Sequence, residues 1–137
     1  MKNEENFMEK KQIRTSKAPA PAGPYSQGIV CSGGTAGDLI FVAGTLPLDP
    51  VTKKVVGSTI EEQTEQVFKN LDAILAEAGA SLKDVVKVTV HLSDIGHIST
   101  FNTEYEKHVH DPRPVRTTVG SSMGPGIMVE IDVIAAT

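Results

Sequence analysis

Apolar residues along the chain recur at two spacings, and each change of spacing marks the edge of an element. Over residues 59–78, Ile60, Val67, Leu71, Ile74, Leu75 and Ala78 fall on one stripe at helical spacing, which predicts a helix turned toward a core. Ser58 with Glu61 fits a capping box at its start, and Gly79 stands where a left-handed stop is wanted. Val86, Val88, Val90 and Leu92 then alternate with Lys87, Thr89 and His91, the pattern of a half-buried strand. A second helix is predicted over residues 98–109, with Ile98, Phe101, Asn102 and Tyr105 as its inner stripe. The amide is the odd member: buried, it needs partners, so Asn102 either ties down nearby backbone or lines a polar site. Pro112 and Pro114 end this helix. Strands follow over residues 115–121 and 127–136, separated by Gly124-Pro125-Gly126, which reads as a hairpin turn. In the last strand Val129, Ile131 and Val133 share one face, while Glu130 and Asp132 share the other.

Toward the N-terminus, Ala18-Pro19-Ala20-Pro21-Ala22-Gly23-Pro24 is rigid and extended, because proline fixes φ and restricts its predecessor. It is expected to lay Tyr25 and Ser26 down at a fixed place. Strands are predicted over residues 27–32 and 39–44, with the turn-rich stretch from Gly33 to Asp38 as a hairpin loop between them. Residues 13–17 offer a weak first strand, and residues 1–12 read as a flexible tail ahead of a single domain over 13–137. The tail mixes Glu with Lys and lacks the apolar core of a secretory signal. This element order implies an α+β sandwich with both helices on one face of the sheet. The other face then needs a cover that one chain cannot supply, so self-association is expected.

Composition narrows the function. The 137 residues suit one domain, and a net charge of −4 offers no basic face for nucleic acid or an anionic membrane. Aromatics make up 4% with no Trp, which leaves no platform for stacking bases. No apolar run approaches the roughly 20 residues of a membrane span. Cys31 is the single cysteine, so no internal disulfide forms, and a reducing, cytoplasmic setting fits best. It reads as a structural thiol, having no evident base beside it in sequence.

Candidate chemistry is sparse. His108-x-His110 is too short a pattern to define a metal site, and no third His or Cys supports it. His91 and His97 read as surface groups. A phosphate-binding glycine loop and a nucleophile elbow are both missing. What remains is Arg116 and Glu130, each set in a strand. An Arg flanked by Val115, Thr117 and Val119 must find water or a partner for its charge. Taken alone, it is explained equally by a salt bridge, with Glu130 itself as one option, or by a solvated edge strand.

Four motifs in order change that reading: Gly23-Pro24-Tyr25-Ser26-Gln27, Ala43-Gly44-Thr45-Leu46-Pro47, Arg113-Pro114-Val115-Arg116-Thr117-Thr118-Val119, and Val129-Glu130-Ile131-Asp132-Val133-Ile134-Ala135. Together they resemble the reactive intermediate deaminase A family from about Lys17 onward. The resemblance implies a chorismate-mutase-like α+β fold (βββαβαββ), with a six-stranded mixed sheet and two helices on one face. It implies a homotrimer with active sites in the clefts between subunits. It also implies that the last strand inserts antiparallel between the two strands flanking the first helix, against the hairpin suggested by Gly124-Pro125-Gly126. Arg116 matches the arginine that grips the substrate carboxylate, and Glu130 the acid that positions the hydrolytic water. Tyr25, Gly44 and Asn102 match residues lining the same pocket. Thr118 stands where many members carry Cys, and the loop from Gly33 to Asp38 is longer than in many relatives.

The implied activity is hydrolysis of 2-iminobutanoate or 2-iminopropanoate to a 2-oxoacid and ammonia, without a cofactor or metal. Two alternatives accompany it. One is an endoribonuclease or translation inhibitor using His108 and His110 as acid and base, which the acidic composition disfavours. The other is a non-catalytic module that senses a carboxylate metabolite in the same cleft.

Overall fold

The computed structural model describes residues 9–34 and 37–137. In chain order its elements are β1 (Glu9–Ile13), β2 (Gly28–Gly34), β3 (Gly37–Thr45), α1 (Ile60–Glu77), β4 (Val85–Leu92), α2 (Ile98–Tyr105), β5 (Val115–Gly120) and β6 (Val129–Ala136). The strands make one mixed sheet in the order β1-β2-β3-β6-β4-β5. Neighbours are antiparallel except β4 and β5, which run parallel. The last strand therefore lies between β3 and β4, as the resemblance implied, and Gly124-Pro125-Gly126 is no hairpin between sheet neighbours.

The predicted stripes build the core. Ile60, Val67, Leu71, Ile74 and Leu75 of α1 are buried against Ile40 and Val42 of β3, Val88, Val90 and Leu92 of β4, and Val129, Ile131 and Val133 of β6. α2 packs beside α1 on that same face, through Phe101 and Tyr105. On the opposite face Leu39, Phe41, Val115 and Val119 are 38% to 67% exposed, an apolar surface that the described residues leave uncovered.

Several boundaries differ from the sequence reading, each for a local reason. The first strand is Glu9–Ile13 rather than residues 13–17, so residues 9–12 belong to the sheet and not to a tail; residues 1–8 lie outside the described residues. EKKQI carries one apolar side chain, and its order comes from pairing with β2, from Glu9 opposite Ser32 to Ile13 opposite Gly28. The β2–β3 hairpin is tighter than expected, with Gly34 paired to Gly37 and a register shift after Cys31; residues 35–36 lie outside the described residues. The cap of α1 is Thr59, whose hydroxyl accepts from the Glu62 N–H at 3.2 Å, one residue beyond the Ser58–Glu61 box. Gly79, at φ +74°, ends this helix as expected. In β4 a register shift between Val85 and Lys87 buries Val85 and leaves Val86 47% exposed, so Val86 drops out of the inner face. α2 stops at Tyr105, and turns over 106–108 replace its expected last residues.

Three buried amides fasten the loops around this core. Gln27, 5% exposed, donates to the Thr15, Ala18 and Pro19 carbonyls and accepts from the Thr15 N–H. It is this side chain that pins the proline-rich segment ahead of Tyr25. Gln63 donates to the Gly57 and Gly126 carbonyls and accepts from the Met128 N–H at 2.7 Å, which fixes the approach to β6. Asn70 donates to the Leu46 and Leu48 carbonyls beyond β3.

A carboxylate is buried where the helices meet. His108 stacks on Phe68, with centroids 4.5 Å apart, and its Nε2 contacts Glu104 Oε2 at 2.7 Å. Burial pushes the Glu104 carboxyl up, but hydrogen bonds from His108 and Lys107 and their charges outweigh it, leaving the group below its ordinary 4.5. A lowered carboxylate stabilises the fold above its ordinary value and ceases to do so as pH falls through the folded value. Glu104→Gln is expected to cost about 1.5–3 kcal/mol at neutral pH, the range for hydrogen bonds to a charged group. In paired thermal melts the gap to wild type should close progressively as pH falls below 4.5; a gap that does not change with pH on the acid side would assign the cost to packing.

Candidate active site

The alternation of β5 and β6 sends the two candidate charges to opposite faces. In the register Arg116 pairs with Val88, and Thr118 with Val90, both buried beneath the helices. Glu130 pairs with His91, between the buried Val129 and Ile131, and so points to the open face. The salt bridge between Arg116 and Glu130 that the sequence left open is therefore not formed. Among the described residues Arg116 makes no ion pair.

The Arg116 guanidinium instead lies over aromatic rings, its Cζ 4.7 Å from the centroid of Tyr105 and 5.6 Å from that of Phe101. Stacking holds the planar fork and leaves its N–H groups for a ligand. A cleft of about 360 Å³ opens there, lined by Asn102, Tyr105, Arg113 and Arg116 among others. Arg113 is committed to Glu106 at 2.8 Å. Burial raises the Tyr105 phenol above its ordinary value, with the charges of Arg116 and Arg113 opposing. Its hydroxyl and that of Thr118 are buried without a hydrogen-bond partner among the described residues, and such groups attract a polar ligand atom or a water. Asn102 is not a buried amide: it is exposed on the rim of this cleft. The helical stripe misplaced it because the inward face of α2 is centred on Phe101, Glu104 and Tyr105, which turns Asn102 outward.

The other candidates gather around Glu130. A methyl group on Gly44 would stand 2.8 Å from Glu130 Oε2, so only glycine lets the carboxylate lie against β3. Tyr25 and Gly44 line one narrow cleft with Pro19 and Gln27, and the Tyr25 hydroxyl accepts from the Ala22 N–H at 3.2 Å. Glu130 lines a different cleft, of about 300 Å³, with His91, Ser121 and Met123. His91, expected as a free surface group, hydrogen-bonds through Nδ1 to Ser121 Oγ at 2.8 Å. No sequence pattern marks that contact, since it depends on the parallel pairing of β4 with β5. The six candidates thus fall into two sets, one of Asn102, Arg116 and Thr118 at the β5 edge, the other of Gly44 and Glu130 in contact, with Tyr25 sharing a cleft with Gly44.

Comparison with known proteins gives this arrangement its context. The family model described as Endoribonuclease L-PSP matches residues 15–137. The chain belongs to the Rid/YjgF/L-PSP family. A RutC family protein of Pyrococcus abyssi is 46% identical over 129 residues, spanning 93% of this chain and 98% of the relative. Reactive Intermediate Deaminase A of Arabidopsis thaliana, a chloroplastic protein, is 41% identical over 129 residues, which are 93% of this chain and 66% of that protein. Among solved Rid-family structures, Escherichia coli TdcF with bound serine superposes with a TM-score of 0.78 at 30% identity, covering 93% of this chain and 98% of that one. The Rid-family fold accounts for the strand order described above. No described helix is long and apolar enough to cross a membrane.

Proposed function

We propose that this chain hydrolyses reactive 2-imino acids, 2-iminobutanoate and 2-iminopropanoate, to 2-oxoacids and ammonia at sites completed between copies of a homotrimer. One observation carries the reading: an arginine held by aromatic rings with no ion pair among the described residues, and a carboxylate held against a glycine, on opposite faces of one sheet. One chain cannot bring them together. A ring of copies can, if the β5 edge of one meets the open apolar face of the next. The relatives support the chemistry, since one is named a deaminase and another binds serine, an amino acid that carries the carboxylate an arginine fork would grip.

In this reading Arg116 pairs with the substrate carboxylate through two charge-assisted hydrogen bonds and so fixes the neighbouring C=N carbon. Glu130 positions a water and accepts its proton. The imine is already electrophilic, so orientation supplies much of the rate, and no cofactor is required. The lone Cys31 suits a reducing, cytoplasmic setting. The test generates both imines in situ with an amino-acid oxidase and traps them with semicarbazide. The protein is expected to suppress the adduct and, by light scattering, to have three times the 14.6 kDa mass of the chain. Glu130→Gln should lower turnover by about 100-fold while leaving the affinity for 2-oxobutanoate largely intact; a variant unaffected in both would make Glu130 structural.

The family model's description favours RNA cleavage as a second reading. His108, its proposed acid or base, is occupied by Glu104 and Phe68, and only His110 of that pair is exposed. RNA binding that weakens steeply with salt would support it.

A further inference from the structure

We propose that His91 is a second proton carrier for this reaction, working opposite Glu130 and held in place by Ser121. The proposal rests on the imine-hydrolysis reading and adds to it the group that serves nitrogen while Glu130 serves oxygen in the first step, and the reverse in the second. Water addition needs an acceptor for the water proton, and departure of ammonia needs a donor at nitrogen. One carboxylate does not readily serve both places at once.

Three observations converge on His91. It is the cross-strand partner of Glu130, so the two side chains stand side by side on the open face. Both line the cleft of about 300 Å³ that Ser121 and Met123 close. The ring is anchored through Nδ1 to Ser121 Oγ at 2.8 Å, which leaves Nε2 as the nitrogen for a substrate. Ser121 is itself fixed, because its N–H donates to the Leu92 carbonyl at 2.9 Å just past the parallel β4–β5 ladder. The other charged groups that the strands place on this face are Asp132 of β6, Lys87 of β4 and Lys10 of β1.

The protons balance in two steps. In the first, the water oxygen bonds to the imine carbon, Glu130 takes a water proton, and the C=N π pair moves to nitrogen. Protonated His91 gives that nitrogen its proton, so the intermediate carries a hydroxyl and an amine on one carbon. In the second, Glu130 returns its proton to the amine and His91 takes the hydroxyl proton. The C–N bond breaks, the C=O bond forms, and ammonia leaves. Both residues end as they began, and nothing is oxidised or reduced.

The test uses the full chain in the oxidase and semicarbazide assay, with Tm and mass checked for every variant. For His91→Gln the protein concentration that halves the adduct should rise about 100-fold, while the Kd for 2-oxobutanoate stays within about threefold of wild type. Ser121→Ala should lose about tenfold, acting through the position of the ring. Added imidazole should restore His91→Ala, beyond its effect without protein, and leave Glu130→Gln unrestored. Lys83→Gln, a change at an exposed residue outside the strands, should behave as wild type. Full activity in His91→Gln beside an inactive Arg116→Ala would overturn the role of His91 and leave imine hydrolysis standing. Loss of activity and 2-oxobutanoate binding together, without imidazole rescue, would assign His91 a structural role. A folded wild type that suppresses no adduct would overturn both readings.

Discussion

Replacing Arg116 with Ala is expected to lower kcat/KM for 2-iminobutanoate by about 30- to 4000-fold, the equivalent of about 2–5 kcal/mol for one partner of a desolvated charge pair. The size follows from what surrounds the guanidinium. It lies over the rings of Tyr105 and Phe101 and makes no ion pair among the described residues, so its fork is oriented before a ligand arrives. Removing it should scarcely change stability, because stacking of this kind contributes about 0.5–1 kcal/mol at a partly exposed site. A small change in Tm beside a large loss of kcat/KM is therefore the signature of a carboxylate clamp. Arg116→Lys should fall between the two, since the ammonium keeps the charge and loses the planar fork. Near-unchanged kcat/KM in the Ala variant would remove the clamp from the mechanism.

Phe101→Ala should be the most damaging change to the fold near the site, costing about 3–5 kcal/mol. The ring is fully buried, 5.5 Å from Tyr105 between centroids, and lies under the Arg116 guanidinium. Its removal leaves a cavity between α2 and the sheet that the short helix cannot collapse to fill. For a domain of this size the cost corresponds to a fall in Tm of about 10–20 °C. Urea melts at fixed protein concentration would measure it, with Phe101→Leu expected to retain most of the stability. A loss below about 1 kcal/mol would mean that α2 is not part of the cooperative core. Because Phe101 supports Arg116, residual folded Phe101→Ala should also bind 2-oxobutanoate more weakly.

How far the sequence revealed this molecule depended on whether a feature was carried by side-chain pattern or by pairing. The stripe from Ile60 to Leu75 and the alternation of Val129, Ile131 and Val133 were legible because burial selects them directly. The strand Glu9–Ile13 was not, because backbone hydrogen bonds to β2 hold it and only Ile13 reports to the core. The position of β6 was available only through resemblance, since Gly124-Pro125-Gly126 has the local chemistry of a hairpin turn. Arg116 and Glu130 were found as charges that strands must account for. Their separation onto opposite faces was not, since it depends on which neighbours each strand meets. The same cause hid the contact between His91 and Ser121, and the rotation of α2 toward Glu104 hid the exposure of Asn102.

The placement of β6 between β3 and β4 also governs how the molecule is made. A nascent chain that has emerged as far as β5 holds two half-sheets, β1-β2-β3 and β4-β5, whose inner edges have nothing to pair with. Both edges stay open until residues 129–136 leave the ribosome. Cooperative folding must then wait for nearly the whole domain, and stalled or cleaved chains lacking β6 are expected to become substrates for chaperones and proteases rather than smaller versions of the fold.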